Sequence, residues 1–369
     1  MLQIIIKAYF KFKEMKNNIN IHLVIAFILA FTLSACKGKK IETGPCAENY
    51  LKLDETKVLN KICFGSCGSH LSEQALLSVA ANQNPDLYVF LGDNIYGDTE
   101  NMDVMQEKYE LLCSKKDFIA LKKKAPFLAT WDDHDFGVND GGKEYPKKAE
   151  SKQVFMEFWE ETNNTERMAH EGIYDAKIIG EGDKRVQIIL LDCRTFRTAL
   201  KESDFYVYEQ NSDPEASILG AAQWAWLEQQ LSKPAEIRII ASSIQFVAEF
   251  NNSESWANFP LEQEKMYNLI ESTNANGALL ISGDVHHSDL SKFTPSNIYP
   301  LYDFTSSGIT GTSTPSPNVH RIGNALSENN IGMIEIDWNG IDTKIKLSIL
   351  NASENVTLEH TIDLSELQL

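Results

Sequence analysis

Six short clusters of reactive side chains stand out in the sequence, each directly after a short apolar run. Together they supply a thiol, carboxylates, a phenol and imidazoles from Cys67, Asp93, Tyr96, Asp98, Asp132, Asp133, His134, Asp135, Asp284, His286 and His287. Carboxylate oxygens suit hard cations such as Ca²⁺, Mg²⁺ or Mn²⁺, whereas thiolate, phenolate and imidazole suit a redox-capable metal such as iron better. The mixed set predicts a site for more than one metal ion, with a carboxylate able to bridge them.

The spacing within the clusters lets the candidate ligands converge. Gly92 permits a sharp turn after its strand, so that Asp93 and Tyr96 can meet across one turn. Asp284 and His286 occupy alternate positions and face the same side of an extended segment. The three acids of residues 132–135 would repel one another without a cation, and we expect at least one of them to support the site without binding metal. The alternative for that segment is a solvated loop.

The apolar runs that precede the clusters predict strands of a helix-covered sheet. They lie at residues 62–66, 86–91, 125–130, 186–191, 237–241 and 278–282, and a helical stretch at 72–82 follows the first of them. Continuous apolar runs alternating with helices are typical of a buried sheet in an α/β fold. Polar site residues gather at the carboxyl ends of such strands, so the six clusters predict one site.

After Tyr299 the alternation of apolar runs and helical stretches ends. Residues 306–317 form a loop rich in Ser, Thr, Gly and Pro. Residues 331–338, 343–350 and 355–363 then predict a strand meander without helices, which we expect to complete a second sheet.

Composition narrows the range of functions. The chain has 369 residues, of which 43% are hydrophobic and 23% charged, as in ordinary globular proteins. Its formal net charge of -18 repels phosphate backbones and argues against specific or non-specific nucleic-acid binding. An anionic substrate would therefore need a local positive charge, which metal ions can supply.

The first residues of the chain are typical of a processed segment. Basic residues precede the apolar run 23–31, which is short for a membrane span and fits the core of a signal peptide. Leu33-Ser34-Ala35-Cys36 follows and resembles a bacterial lipobox, which predicts that Cys36 is lipidated. We therefore expect a signal peptide at 1–35, a polar tether at 36–60, a catalytic domain at 61–369, and export to a bacterial envelope as a membrane-anchored lipoprotein. The alternative is a buried apolar helix that ends in a core cysteine.

Four of the clusters carry motifs that together resemble a known family. The motifs are Phe64-Gly65-Ser66-Cys67, Gly92-Asp93-Asn94-Ile95-Tyr96, Trp131-Asp132-Asp133-His134-Asp135 and Ser282-Gly283-Asp284-Val285-His286, and Leu191–Arg197 is similar to an Asp-x-Arg-x-x-Arg segment. Over about residues 60–340 the sequence resembles the alkaline phosphatase D, or PhoD-like, branch of the calcineurin-like metallophosphoesterases. The resemblance implies an α/β fold, a four-layer α/β/β/α sandwich with two mixed sheets flanked by helices.

The resemblance also implies metal-binding roles for the matched residues. Cys67 and Tyr96 would bind iron, and Asp93 would bridge the metals. Asp133, which replaces an Asn of the usual motif, would bind a second metal. Asp284 replaces the first His of Gly-His-x-His, and the second His of that motif is matched by a further ligand, His286. Because these replacements add carboxylates, the resemblance favours Fe³⁺ with Ca²⁺, and the alternative is another pair such as Mn²⁺ or Zn²⁺.

Two more residues receive roles in catalysis from the resemblance. His134 matches a motif His that protonates the leaving group or contacts the substrate, and Arg194 would contact the phosphate. An ordinary salt bridge is the alternative for Arg194. Gln245 lies where a ligand His would be expected, which leaves that corner of the site open.

The expected function is metal-dependent hydrolysis of a phosphate ester by a monomeric enzyme. A metal-activated hydroxide would attack phosphorus in line, without a covalent phospho-enzyme. Small-molecule and lipid phosphate esters, and both monoesters and diesters, remain open as substrates. The alternatives are hydrolysis of another ester, such as a phospholipid or sulfate ester, and a surface lipoprotein that binds a ligand without catalysis.

The six cysteines leave the disulfides open. If Cys36 is lipidated and Cys67 binds metal, four remain, and three pairings are possible among Cys46, Cys63, Cys113 and Cys193. A disulfide between Cys63 and Cys67, or an ordinary buried thiol, is the alternative to a metal ligand at position 67.

Overall fold

The computed structural model describes residues 50–369, which form fourteen β-strands and eight α-helices. The strands are β1 (Lys61–Gly65), β2 (Leu87–Leu91), β3 (Phe127–Thr130), β4 (Asp175–Ile179), β5 (Val186–Leu190), β6 (Lys201–Asp204), β7 (Val207–Glu209), β8 (Ile237–Ala241), β9 (Ala278–Ser282), β10 (Ser288–Phe293), β11 (Leu301–Ser306), β12 (Asn330–Asp337), β13 (Lys344–Asn351) and β14 (Val356–Asp363). The predicted signal peptide 1–35, the lipidation site Cys36 and Cys46 lie outside the described residues.

The helices alternate with the strands through the first three quarters of the chain. They are α1 (Ala75–Asn82), α2 (Met102–Cys113), α3 (Lys116–Lys122), α4 (Asp133–Phe136), α5 (Lys148–Phe158), α6 (Thr165–Ala169), α7 (Gly220–Leu231) and α8 (Pro260–Ser272). Short 3₁₀ turns occupy Trp256–Asn258 and Leu364–Leu367. Within residues 50–369, no helix has the length and apolar character needed to cross a bilayer.

The strands form two six-stranded mixed sheets and one hairpin. The first sheet has the order β14-β13-β12-β1-β2-β3, and the second has the order β10-β11-β9-β8-β5-β4. The strands that precede the six clusters pair in parallel within each sheet, as their buried apolar runs predict. Strands β6 and β7 pair only with each other.

The two sheets pack face to face and carry helices on their outer faces. Alternate side chains of β1 point to opposite sides, so Ile62 and Phe64 join the core between the sheets while Cys63 joins the core under the first helices. Phe64 meets Phe304 of the second sheet with ring centroids 5.3 Å apart. The layers are therefore those of the predicted α/β/β/α sandwich.

The meander β12–β13–β14 forms as predicted but extends the first sheet. β12 pairs antiparallel with β1, in a register that places Gly332 opposite Phe64. A Cβ at position 332 would lie 2.4 Å from the Phe64 ring, so a side chain there would block this pairing. The expectation that the meander completes a separate second sheet was wrong, because β12, β13 and β14 join the sheet of β1, β2 and β3. The second sheet is completed by β10 and β11, which had not been predicted from the sequence.

The beginning of the described chain packs on the domain without forming a helix or strand. The Tyr50 ring lies edge-on to Phe127, with centroids 5.6 Å apart, and Leu59 is fully buried. The backbone oxygen of Leu59 accepts a hydrogen bond from Trp338 Nε1 at 2.9 Å. The described part of the predicted tether, residues 50–60, is thus attached to the domain by aromatic packing.

The states of four cysteines are defined within residues 50–369. Cys63, Cys67 and Cys193 are free and buried, whereas Cys113 is disulfide-bonded. The pairings that join Cys63 or Cys193 to another cysteine are therefore wrong, and so is the alternative Cys63–Cys67 disulfide. Cys67 is left with a free sulfur at the end of β1.

Candidate metal centre

The predicted ligands come together where the parallel strands of both sheets end. Four of them adopt the left-handed backbone conformation, with φ of 60° at Cys67, 49° at Asp93, 74° at Asp284 and 55° at His286. Non-glycine residues adopt this conformation at a cost, and such residues concentrate at functional sites. These sharp turns aim side chains from β1, β2 and β9 at one point.

Glycine is required at position 92 for a close approach of two loops. Gly92 has φ of 98°, and a Cβ placed there would lie 2.5 Å from the backbone nitrogen of Asp132. The chain after β2 can therefore pass directly against the chain after β3. This contact brings Asp93 beside the acids of residues 132–135.

One group of ligands combines sulfur, nitrogen, carboxylate and phenol. Cys67 Sγ lies 3.3 Å from Asp93 Oδ2, and the ligand atoms of Cys67, Asp93 and His286 all fall within 4.8 Å of one another. The hydroxyl of Tyr96 lies 3.2 Å from Nε2 of His286. Cys67 and Tyr96, the two side chains predicted to bind iron, thus lie close to Asp93 and His286.

A second group consists of carboxylates. Ligand atoms of Asp93, Asp132, Asp133 and Asp284 lie within 4.8 Å of one another, and a third group joins Asp93 and Asp133 to His134. Asp93 belongs to all three groups. A carboxylate that bridges two metal ions would have to be shared between groups in this way. The structure therefore brings together all the predicted metal ligands and adds Asp132, which the sequence analysis left without a role.

The carboxylates are buried close together, and several of their oxygens lack a partner that a cation would supply. Asp93 Oδ1, Asp132 Oδ2 and Asp133 Oδ1 are buried without a hydrogen-bond partner. Burial, followed by the charges of Cys67 and Asp133, raises the pKa of Asp93 well above its usual range. Burial and then Asp132 do the same to the pKa of Asp284. Buried anionic oxygens of this kind fit divalent or trivalent metal ions, which would supply the missing charge.

Asp135 differs from its neighbours because it points away from the cluster. Its carboxylate accepts hydrogen bonds from the backbone nitrogens of Asp132 at 2.6 Å, Asp93 at 3.2 Å and Asn94 at 3.3 Å. Asp135 therefore fixes the two loops that meet at Gly92. Its part is to position Asp93 and Asp132, since its oxygens are occupied by these amides.

Arg194 lies beneath the carboxylates and is fully buried. Its Nε donates to Asp132 Oδ1 at 2.6 Å, and its Nη1 donates to Glu254 Oε1 at 2.8 Å. Its Nη2 approaches Asp133 Oδ1 to 3.7 Å. In this structure the guanidinium balances the charge of the ligands, and the predicted phosphate contact stays a prediction. Glu254, the second partner, has no motif in the sequence that marks it.

His134 sits at the opening of the site with one ring nitrogen fixed. Its Nδ1 lies 2.8 Å from Asp98 Oδ1, and its ring packs on Tyr96 with centroids 4.3 Å apart. Burial alone would lower the pKa of His134, but the hydrogen bond to Asp98 and the charge of Asp133 outweigh it and raise that pKa. His134 Nε2, 4.0 Å from Asp133 Oδ2, is left to face the cluster.

Ser307 is a residue of the site that the sequence analysis missed. It follows β11 in the Ser/Thr-rich loop, with its hydroxyl 3.1 Å from Cys67 Sγ. The same hydroxyl accepts a hydrogen bond from the backbone nitrogen of His286 at 2.9 Å. It therefore joins ligands from β1 and β9. No local pattern in the sequence marks it, because the preceding strand, Leu301–Ser306, is not a continuous apolar run.

Two residues near the candidate metal centre use their polar side-chain atoms in other hydrogen bonds. Gln245 donates through Nε2 to Thr305 Oγ1 at 3.0 Å. His287 is tied through Nδ1 to the backbone oxygen of Val285 at 2.8 Å. His287 does not belong to the groups of convergent His, Cys, Asp and Glu ligand atoms found among residues 50–369.

Comparison with known proteins finds relatives of this chain by sequence and by fold. The sequence is 25% identical over 231 residues to alkaline phosphatase D of Bacillus subtilis (strain 168), an alignment that covers 55% of this chain and 37% of the relative. The fold is similar to a solved structure of PhoD, with a TM-score of 0.64, 18% identity, and coverage of 85% of this chain and 70% of that one.

A purple acid phosphatase has a related fold. PPD1 from yellow lupin (Lupinus luteus) seeds matches with a TM-score of 0.56 and 11% identity, covering 85% of this chain and 55% of that chain. These likenesses confirm the predicted fold class. The sequence model of the family described as PhoD-like phosphatase matches residues 64–333, which hold every predicted metal ligand, and the chain therefore belongs to the PhoD-like phosphatase family.

Proposed function

We propose that this protein is a metal-dependent hydrolase of phosphate esters. The observation that carries the proposal is the position of Asp93, whose carboxylate is shared by three groups of convergent ligand atoms. A shared carboxylate of this kind is what two adjacent metal ions need as a bridge. Membership of the PhoD-like phosphatase family supports the reaction class.

The donor atoms favour Fe³⁺ and Ca²⁺ as the metals. Cys67, Tyr96 and His286 offer sulfur, phenol and imidazole on one side of Asp93, which suits iron. Asp132, Asp133 and Asp284 offer carboxylates on the other side, which suit calcium. When bound, such ions polarise phosphoryl oxygens and make a water molecule nucleophilic near neutral pH.

The side chains of the protein then have separable tasks. His134, held through Nδ1 by Asp98, is placed to give a proton from Nε2 to the departing oxygen. Arg194 keeps the carboxylate group from becoming too negative to hold an anionic substrate. Cys67 is fully buried, so we assign the attack to water and expect no covalent phospho-enzyme.

We also propose that the enzyme is exported and anchored to a membrane by a lipid on Cys36. The apolar run 23–31 and the lipobox-like Leu33-Ser34-Ala35-Cys36 support this location. Small phosphate esters, including diesters, are the substrates to try first, and we expect a monomer.

The test is turnover of nitrophenyl phosphate monoesters and diesters by purified protein whose metals have been measured. Asp93→Asn and Asp284→Asn should each abolish turnover and reduce the metal content, because each removes a charge from the centre. Asp103→Asn, at an exposed position of α2, is the matched control and should be fully active.

The results separate the alternatives. Metal-loaded protein that binds inorganic phosphate but hydrolyses neither ester would replace the enzyme with a binding protein on the same fold. Faster turnover of a nitrophenyl sulfate would move the activity to sulfate esters. Normal activity in Asp93→Asn would contradict the assignment of the site.

A further inference from the structure

The hairpin β6–β7 exposes three consecutive apolar side chains at its tip. Phe205 is 77% exposed, Tyr206 53% and Val207 37%, and the two rings pack on each other with centroids 4.1 Å apart. Every residue of β6 is exposed as well. Single exposed apolar residues are common, but a consecutive run on a projecting turn is unfavourable in water unless it has a function. The exposed apolar tip therefore indicates a surface that binds a partner.

The shape of the tip is fixed by hydrogen bonds within the hairpin. Asp204 Oδ1 accepts from the backbone nitrogen of Phe205 at 2.8 Å, and Glu202 Oε1 accepts from that of Tyr206 at 3.0 Å. Ser203 Oγ donates to the backbone oxygen of Val207 at 3.1 Å. The aromatic side chains are thus presented outwards by an ordered turn.

The base of the hairpin is attached beside the metal centre. Tyr208 is buried, and its hydroxyl donates a hydrogen bond to the carboxylate of Asp140. The backbone nitrogen of Asp140 in turn donates to Asp133 Oδ2 at 2.7 Å. The register pairs Asp204 with Val207, so Phe205 and Tyr206 form the turn. At about 3.3 Å per residue, the tip projects about 7 Å beyond Tyr208. Whatever binds the tip is therefore held close to the opening of the centre.

We propose that Phe205, Tyr206 and Val207 insert into the headgroup region of a lipid bilayer. A convex apolar tip fits a deformable surface, and tyrosine with phenylalanine is favoured where apolar and hydrated layers meet. The proposal rests on the membrane anchor of the proposed function. About 13 residues separate Cys36 from Tyr50, where the chain is already packed on the domain, and they span at most about 50 Å and keep the domain near the membrane. The tip would then set which side of the domain faces the lipid.

Charge narrows the kind of bilayer. Glu202, Asp204 and Glu209 outnumber the single base Lys201 on the hairpin, and the whole chain carries a net charge of -18. Anionic headgroups would repel such a surface. The partner is therefore a surface of zwitterionic lipid, such as phosphatidylcholine in a test vesicle.

The experiment measures the depth of a spin label in the full-length lipidated protein, reconstituted in phosphatidylcholine vesicles. Phe205→Cys carries the label, and Ile341→Cys, at an isolated and fully exposed aliphatic position, is the matched control. The label at 205 should collide several-fold less often than that at 341 with a water-soluble nickel complex, and more often with oxygen. Exchanging phosphatidylcholine for the anionic lipid phosphatidylglycerol at low salt should move the label at 205 out of the bilayer and raise its collision rate with the nickel complex.

A second variant tests whether the native side chains drive insertion. Adding Tyr206→Ser and Val207→Ser to the labelled Phe205→Cys protein should return the label to water, while turnover of a soluble nitrophenyl diester stays unchanged. Equal nickel accessibility at 205 and 341 in protein that floats with the vesicles would overturn the proposal. Protein that does not float would refute the lipid anchor on Cys36 and, with it, this proposal.

Two other outcomes also contradict bilayer binding. Dipolar broadening between labels at 205 in vesicle-free solution would mean that the tip packs on a second copy of the chain. A raised KM for the soluble diester in the serine variant would assign the tip to the substrate. An inactive protein whose tip inserts would instead refute the hydrolase and leave this proposal standing.

Discussion

The hydroxyl of Ser307 lies 3.1 Å from the sulfur of Cys67, although the two residues are 240 positions apart in the chain. Cys67 follows β1 of the first sheet, and Ser307 follows β11 of the second. Because Ser307 also accepts from the backbone nitrogen of His286, it links two candidate ligands of the same metal position. Residues that hold ligands in this way tune the metal that the ligands bind.

Ser307→Ala should therefore weaken the metal centre without unfolding the domain. Loss of the hydroxyl frees Cys67 and His286 to move, and removing such a support costs about 10–100-fold in metal affinity or activity. Iron content after dialysis against a chelator is the measurement. Thr312→Ala, exposed in the same loop, is the control, and equal iron retention in both variants would contradict the role of Ser307.

His134 and Asp98 should behave as one unit. His134→Ala is expected to lower turnover roughly 10²–10⁴-fold with the metals retained, as for loss of one acid–base group. Asp98→Asn should cause a smaller loss, because the amide oxygen can still accept from Nδ1 but lacks the negative charge that helps to raise the pKa of His134.

The double variant distinguishes a shared role from two separate ones. If Asp98 acts through His134, the double variant should be no slower than His134→Ala alone. Losses that multiply would mean that Asp98 acts independently of the imidazole.

Much of the centre was predictable because its ligands follow strands that the sequence marks clearly. Asp93, Tyr96, Asp284 and His286 each lie a few residues after a continuous apolar run, and parallel strands bring such positions together. Ser307 gave no such signal, because its role depends on β11 lying beside β9. Long-range pairing of this kind is not encoded in local periodicity.

The same reason explains what was missed in the fold. The residues of β6, Lys-Glu-Ser-Asp, have no apolar alternation, since the hairpin covers no core. The meander was recognisable as strands, but its sheet was decided by the pairing of β12 with β1. Glu254 could not be predicted from the sequence for a similar reason, because its role depends on its long-range ion pair with the buried Arg194.

Removal of metal should make stability depend on pH. Burial raises the pKa of Asp132 to about 8 and that of Asp135 to about 7, whereas unfolded aspartates titrate near 3.9. Since the folded values are higher, the stabilising contribution of protonation is full below about pH 4 and is lost as the pH rises through about 7 to 8.

Thermal unfolding of metal-free protein tests this dependence. The Tm should fall between about pH 5 and about pH 8. Added Ca²⁺ should restore part of the loss at the higher pH, because it can replace the proton of Asp132 but not that of Asp135, whose oxygens are held by backbone amides. A Tm that falls equally with and without Ca²⁺ would mean that the carboxylates do not bind the ion.

Cys36→Ser should release the protein from the membrane fraction. The lipobox-like Leu33-Ser34-Ala35-Cys36 predicts that the lipid is carried by this sulfur alone. Fractionation of cells with detection of the protein is the measurement. A variant that stays in the membrane with residues 1–35 still attached would show that the segment is an anchor helix.

The colour of the protein tests the iron assignment. Phenolate or thiolate bound to Fe³⁺ gives a visible charge-transfer band, whereas Zn²⁺ and Ca²⁺ with the same ligands are colourless. Tyr96 and Cys67 lie on either side of His286 and Asp93 in one ligand group, so purified protein should be coloured. Burial raises the pKa of Tyr96 far above its ordinary value, so only a strongly positive ion would hold its phenolate form.

Tyr96→Phe and Cys67→Ser separate the two possible sources of the band. Tyr96→Phe removes the phenol with almost no change in volume and should shift or bleach the band in a folded protein. Cys67→Ser should lower iron retention more than calcium retention, because sulfur is the softer ligand. An active, colourless protein without iron would replace the Fe³⁺–Ca²⁺ pair by another pair, and the bridging position of Asp93 would serve that pair equally well.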